Sequence, residues 1–210
     1  MSPGVYAASG LFVCFEGGEG SGKSTQSVAL RDRLVELGRD VVLTFEPGDT
    51  EVGRKVREIV LSPETGELAD ETEALLYAAD KAEHLRRVVR PGLARGAVVI
   101  TDRYVDSLLA YQGGGRALDF DRLEQMVRWA TGDLRPHLTV LLDLDPAAGF
   151  GRFAERDRIE GEPLEFHQRV RDSFLALADA DPEHYLVLDA RAEVEDIAAA
   201  VRKRVEELLR

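Results

Sequence analysis

Gly17-Gly18-Glu19-Gly20-Ser21-Gly22-Lys23-Ser24 matches the pattern G-x-x-x-x-G-K-[ST] and lies between two segments of different period. Ahead of it, Leu11 to Glu16 is an apolar run that reads as a buried parallel strand. Behind it, Leu30, Leu34 and Leu37 recur at helical spacing and Gly38 closes the helix. In a strand, glycine loop and helix in that order, backbone N–H groups converge on an anion. The glycines let the chain curl, and the helix aims the positive end of its dipole at the same point. Gly17 to Ser24, with Thr25 behind them, therefore reads as a phosphate cradle. Lys23 is expected to reach the β- and γ-phosphates of a nucleoside triphosphate, and the Ser24 hydroxyl to bind Mg²⁺. A chance match in a chain this long has odds on the order of one in a hundred. The loop alone leaves a kinase, a GTPase, a motor and a nucleotide switch open.

Outward from the loop, strands are expected at Val41 to Phe45, Ala97 to Thr101, Leu138 to Leu144 and Tyr185 to Leu188. Helices are expected near 51–61, 105–112, 120–130, 165–177 and 194–209, with a long one from Asp70 towards Gly96, bent or broken near Pro91. Strands alternating with helices give an α/β fold, with helices packed around a five-stranded parallel sheet. No repeat or linker divides the chain, so residues 11–210 read as one domain behind a flexible leader, residues 1–10.

Composition narrows the partners. The 210 residues are 44% hydrophobic and 31% charged, an ordinary balance for one soluble domain. No run approaches the roughly 18 apolar residues of a membrane span, and the N-terminus lacks the basic start of a secretory signal. The single cysteine, Cys14, lies in the first apolar run and reads as a buried thiol in a reducing cytoplasm. A net charge of -12 repels nucleic acid polymers and anionic membranes, so any phosphate substrate must be met by basic residues concentrated locally.

Three segments supply candidates. Asp102-Arg103-Tyr104 follows the third strand, at the edge where open α/β sheets bind ligands. An arginine there suits a phosphate and an aspartate suits Mg²⁺, against the plainer reading of a helix cap with a surface ion pair. Between Glu73 and Val89, Leu75, Ala78, Ala79, Ala82, Leu85 and Val89 form an apolar helix face, read as the core side. Tyr77, Lys81, His84 and Val88 form another, about 120° away, where a tyrosine and a lysine can meet a base; the plainer reading is a solvated face. Arg152, Arg156 and Arg158 follow the fourth strand and suit a closing lid, although the alternating Glu155, Asp157 and Glu160 also suit a solvated helix.

FEGGEGSGKST, FEPGDT at Phe45 to Thr50, LLYAADKAEH at Leu75 to His84, DRYVDSLLAYQGGGR at Asp102 to Arg116 and DRIEGEPLEFHQRVRDSF from Asp157 together resemble the thymidylate kinase family, in order and over nearly the whole chain. The resemblance implies a three-layer α/β/α P-loop kinase with sheet order 2-3-1-4-5, a cytoplasmic homodimer that moves a phosphoryl group in line from MgATP to dTMP. It implies that Glu19 meets the deoxyribose 3′-hydroxyl, Tyr77 stacks on thymine, Lys81 touches the base edge and Arg103 holds the dTMP phosphate. Asp102 would lie near the metal, Ser107, Tyr111 and Gln112 would line the nucleoside pocket, and Arg158 would serve a lid near residues 152–164. Two departures stand out. Lys81 replaces the family's arginine, which loses bidentate geometry. The turn usually written TREPGGT reads Thr44-Phe45-Glu46-Pro47-Gly48-Asp49-Thr50, so an arginine is missing and a carboxylate added. A kinase for another small anion and a regulatory P-loop switch are the rivals, and the chain has no Asn-Lys-x-Asp motif to favour the switch.

Overall fold

The computed structural model describes residues 4–149 and 157–209. Strands β1 (Leu11–Gly17), β2 (Val41–Phe45), β3 (Val98–Asp102), β4 (Leu138–Asp143) and β5 (Tyr185–Asp189) form a parallel sheet in the order β2-β3-β1-β4-β5. Strand β1 is central and every residue of it is buried. Because side chains alternate along a strand, β1 feeds two cores. Phe12 and Cys14 pack with Leu85, Val89, Tyr104 and Val127, while Val13 and Phe15 pack with Leu30, Leu34, Ile197 and Val201. Helices α1 (Lys23–Glu36) and α9 (Val194–Leu208) thus cover one face of the sheet. Helices α3 (Asp70–His84), α6 (Phe120–Thr131) and α8 (Leu164–Ala180) contribute to the other. The three-layer architecture and the strand order are those expected.

Local chemistry sets the boundaries. Helix α2 (Glu51–Leu61) starts where the Thr50 hydroxyl accepts a hydrogen bond from the Gly53 N–H, 2.8 Å away. The long helix expected from Asp70 stops at His84, widens into a π-type turn over Leu85–Val89, and resumes as α4 (Arg90–Ala94). Pro91 has no N–H to donate back, and its ring crowds the preceding turn, so the break falls ahead of it. The helix after β3 is likewise short, α5 (Val105–Leu108), and continues as a wide turn over Leu109–Gly115. That turn lies against α8, where a Cβ added at Gly115 would meet the Phe166 ring at 2.5 Å. Helix α7 (Pro146–Gly149) carries no apolar periodicity and was not expected.

Two expectations change. The leader is held down over residues 4–10: Val5 exchanges backbone hydrogen bonds with Asp133 and Arg135, and Tyr6 stacks on His184 at 4.6 Å. The division of α3 and the turn after it into a core face and an outer face also changes: Ala78, Leu85 and Val89 enter the core as expected, but they are joined there by polar residues. Lys81 and His84 are buried at 3% and 0% exposure, whereas Leu75, on the apolar face, is 58% exposed and Ala79 is also exposed. Lys81 and His84 turn inward because the end of β2 and the turn after it offer them a hydroxyl and a carboxylate as partners.

Candidate active site

The site lies at the C-terminal ends of β1, β2 and β3. Gly17, Gly20 and Gly22 have φ values of 138°, 70° and 89°, which the loop needs in order to turn its amides inward. A Cβ at Gly17 would strike the Leu142 carbonyl at 2.4 Å. Lys23 is folded back on the loop, its ammonium 2.8 Å from the Gly18 carbonyl and 3.2 Å from that of Gly17. Burial, and then the neighbouring Arg103, pull its pKa down to about 8. The negative charge of a bound triphosphate would counteract both effects and favour the charged ammonium. The Ser24 hydroxyl donates to Asp102 Oδ2 at 2.6 Å, so the two expected metal ligands are adjacent although 78 residues apart in sequence.

Arg103 leaves the end of β3 with φ 70°, a left-handed conformation uncommon outside glycine and a mark of functional constraint. Its guanidinium donates to the Gly17 carbonyl at 3.2 Å, to the Ser107 hydroxyl at 3.0 Å and to Glu19 at 2.5 Å, and lies 5.1 Å from the centre of the Tyr111 ring. Tyr111 donates its hydroxyl to the same Glu19 oxygen at 2.9 Å. Burial opposes ionisation of Glu19, but Arg103 and Lys23 outweigh it and hold the carboxyl at about 2. Behind them Glu16 accepts from the Tyr104 and Ser107 N–H groups at 2.8 and 3.1 Å and from the Ser107 hydroxyl at 2.6 Å. Full burial and Asp106 nevertheless raise Glu16 to about 7.

Beside the loop a pocket is lined by Glu19, Tyr77, Lys81, Arg103, Ser107, Tyr111 and Gln112, which are all the expected substrate residues. A second cavity carries Lys23, Ser24, Thr25 and Asp102, and Glu19, Glu46, Arg57 and Arg103 line both. Arg57 escaped the sequence reading. It sits on the exposed side of α2, lies 5.9 Å from the centre of the Phe45 ring and donates to the Pro47 carbonyl at 2.8 Å. A guanidinium thus returns to the turn where Phe45 stands for the family's arginine. Only the packing of α2 on that turn reveals it.

Arg158 is placed apart from the phosphate loop. It donates to Glu73 and to the Val60 carbonyl, and Glu73 is shared with Gln112 and Arg116. Burial opposes ionisation of Glu73 too, but its hydrogen bonds to Arg116 and Arg158 hold its carboxyl below the usual range. Arg152 and Arg156 lie outside the described residues.

A family model described as Thymidylate kinase matches residues 15–201. A thymidylate kinase of Cutibacterium acnes is 52% identical over 200 residues, covering 95% of this chain and 98% of that one. One from Clavibacter michiganensis subsp. michiganensis is 53% identical over 204 residues, covering 95% and 96%. Among solved structures, the thymidylate kinase of Ehrlichia chaffeensis superposes with a TM-score of 0.77 at 31% identity, covering 96% of this chain and all of that one.

Proposed function

We infer the roles of the site residues from one premise: the chain belongs to the thymidylate kinase family. It is a nucleoside monophosphate kinase that phosphorylates dTMP to dTDP at the expense of ATP. The observation that carries this reading is the pocket opening beside the phosphate loop, with Arg103 and Glu19 lining both it and the loop's own cavity. Gly17 to Thr25 hold the ATP phosphates, and Arg103 holds the phosphate of dTMP once it gives up part of its contact with Glu19. Tyr77 stacks on the base, Lys81 donates to its edge, and Ser107, Tyr111 and Gln112 shape the sugar side. The γ-phosphoryl moves in line onto a dTMP phosphate oxygen that is already anionic, so no general base is needed.

The paired oxygens of Ser24 and Asp102 fit a hard cation. Mg²⁺ held there would neutralise charge on the β- and γ-phosphates and would complete its shell with phosphate oxygens and water. Arg158 acts as a lid residue by exchanging Glu73 for phosphate oxygens when the site closes. No helix among the described residues is long and apolar enough to cross a membrane. The unpaired buried Cys14 and the net charge of -12 support a place in the reducing cytoplasm.

A homodimer is supported by the outward face of α3. Leu75, Val52 on α2 and Trp129 on α6 are 58%, 48% and 86% exposed and line one apolar depression, which a second copy would cover. Trp129→Glu should shift the protein to monomer in light scattering, and an unchanged dimer mass would move the interface elsewhere. The function itself is tested by following ADP release with MgATP and each nucleoside monophosphate in turn. Preferential turnover of dTMP is expected, and turnover of another monophosphate with dTMP inert would reject it.

A further inference from the structure

The Arg103 guanidinium is held from two sides. Its Nη2 donates to Glu19 at 2.5 Å, while its Nη1 donates to the Gly17 carbonyl at 3.2 Å and to the Ser107 hydroxyl at 3.0 Å. If Glu19 gives way to a phosphate, the Nη1 contacts are what remain to aim the arginine. Ser107 in turn lies 2.6 Å from Glu16 Oε2, and Glu16 is fully buried near the end of β1.

The direction of these hydrogen bonds follows from the groups themselves. A guanidinium only donates, so Ser107 Oγ accepts from Arg103, and the single hydroxyl proton is left for Glu16. Glu16 Oε1 accepts from the Tyr104 and Ser107 N–H groups at 2.8 and 3.1 Å, and the Cys14 thiol points at the same oxygen from 3.7 Å. In each of these contacts the Glu16 side chain is the acceptor. The Tyr104 amide directly follows Arg103, whose φ of 70° is uncommon outside glycine. One carboxyl oxygen therefore grips the backbone beside Arg103, and the other reaches its side chain through Ser107.

We propose that Glu16 is the positioning residue of Arg103: it turns the Ser107 hydroxyl so that an oxygen lone pair meets the guanidinium, and so aims the arginine at the phosphate of the acceptor nucleotide. This rests on the reading that Arg103 holds that phosphate. A proton on Glu16 undoes the arrangement. At Oε2 it would donate to Ser107, whose oxygen would then serve two donors while its own proton lost its acceptor. At Oε1 it would face two N–H groups. Glutamine in place of Glu16 copies the first case, with an amide N–H where the acid proton would be.

Other groups face the carboxyl. Burial and then Asp106 push Glu16 up to about 7, and Arg103 opposes them. Asp106 itself accepts from the Tyr185 hydroxyl at 2.5 Å. The Lys23 ammonium feels the Glu16 charge, and the Cys14 thiol, which burial pushes well up, adds none. Glu16 thus gives up its proton as pH rises through about 7, and the link to Arg103 forms in the same window.

The test compares the full chain with Glu16→Gln in steady-state kinetics from about pH 6 to about pH 8.5. The wild-type to variant ratio of kcat/KM for dTMP, in which titration of the substrate cancels, should rise with pH to ~10-fold at the alkaline end. The KM for ATP should move by less than ~2-fold. A ratio of one at the alkaline end, with only a lower melting temperature, reduces Glu16 to packing and overturns the proposal. If Glu16→Gln fails to fold, Ser107→Ala breaks the same link without touching the buried carboxyl and is read in the same way. In an Arg103→Ala background, Glu16→Gln should lower kcat/KM no further; a loss as large as in the wild-type background shows that Glu16 acts elsewhere and also overturns it. Arg103→Ala by itself separates the two readings: unchanged kcat/KM for dTMP in that variant removes Arg103 from the acceptor phosphate, and the proposal falls with that reading, not with Glu16.

Discussion

The glycine loop and the pocket beside it, proposed to hold the phosphates and the base, are built differently. Residues 17–25 are contiguous and present backbone amides turned by glycines at positive φ, with Lys23 and Ser24 added. The pocket is assembled from the turn after β2, from α3 and from the wide turn at 109–115, and it is lined by side chains held by other buried side chains. A site made of backbone tolerates no detour in local sequence. One made of side chains accepts substitutions, such as lysine for arginine at residue 81, provided its supports change with it.

Removing charge from the transferring phosphates should cost most. Arg158→Ala should lower kcat by ~10²–10⁴-fold with KM nearly unchanged, as expected of a contact made only in the transition state. Normal turnover together with a lower melting temperature would assign Arg158 wholly to Glu73 and leave phosphate binding to the loop side alone. Lys23→Ala should cut kcat by ~100-fold or more, the scale of one preorganised charge contact. Near-normal turnover in a folded variant would refute its place at the phosphates.

On the base side the effects should be smaller and fall on binding. Tyr77→Ala should weaken dTMP affinity by ~1–3 kcal/mol in calorimetry, the worth of an aromatic stack on a base, and leave ATP affinity alone. Equal losses for both ligands would erase the division between the two regions.

The smallest effect concerns the support between them. Glu16 is raised from its ordinary 4.5 to about 7 by burial and Asp106, so the folded state holds its proton more tightly than the unfolded chain. Its contribution to stability is therefore greatest below 4.5 and is lost as pH rises through about 7. Glu16→Gln should flatten the melting temperature against pH across that window while keeping acceptors for the Tyr104 and Ser107 N–H groups. An unchanged slope would place the pH dependence in Asp80 and Asp106, whose carboxyls are also raised, mainly by burial.

Much of this was legible because it is local. The eight-residue loop, the short strands and the capped helices follow from neighbouring residues, and the residues expected around the substrate do meet in one pocket. Periodicity was only part of the answer to which way α3 faces: Ala78, Leu85 and Val89 of the expected apolar face do enter the core. The larger apolar face is the natural choice for the core, yet Leu75 and Ala79 point outward. Inward, Lys81 and His84 are satisfied by Glu46 and Thr44, some 35 to 40 residues away, a pairing with no sequence period.

By itself, then, the sequence determined the glycine loop between β1 and α1, the alternation of strands and helices and, through its motifs, the kinase family. Those depend on backbone conformation and short-range spacing, which the residue types dictate locally. Tertiary structure alone decided that Ser24 meets Asp102, that Arg57 returns a guanidinium to the turn carrying Phe45, and that Arg158 rests on Glu73. Such contacts arise when a parallel sheet brings distant strand ends to one edge, where buried charges must find partners from whichever segments the packing delivers.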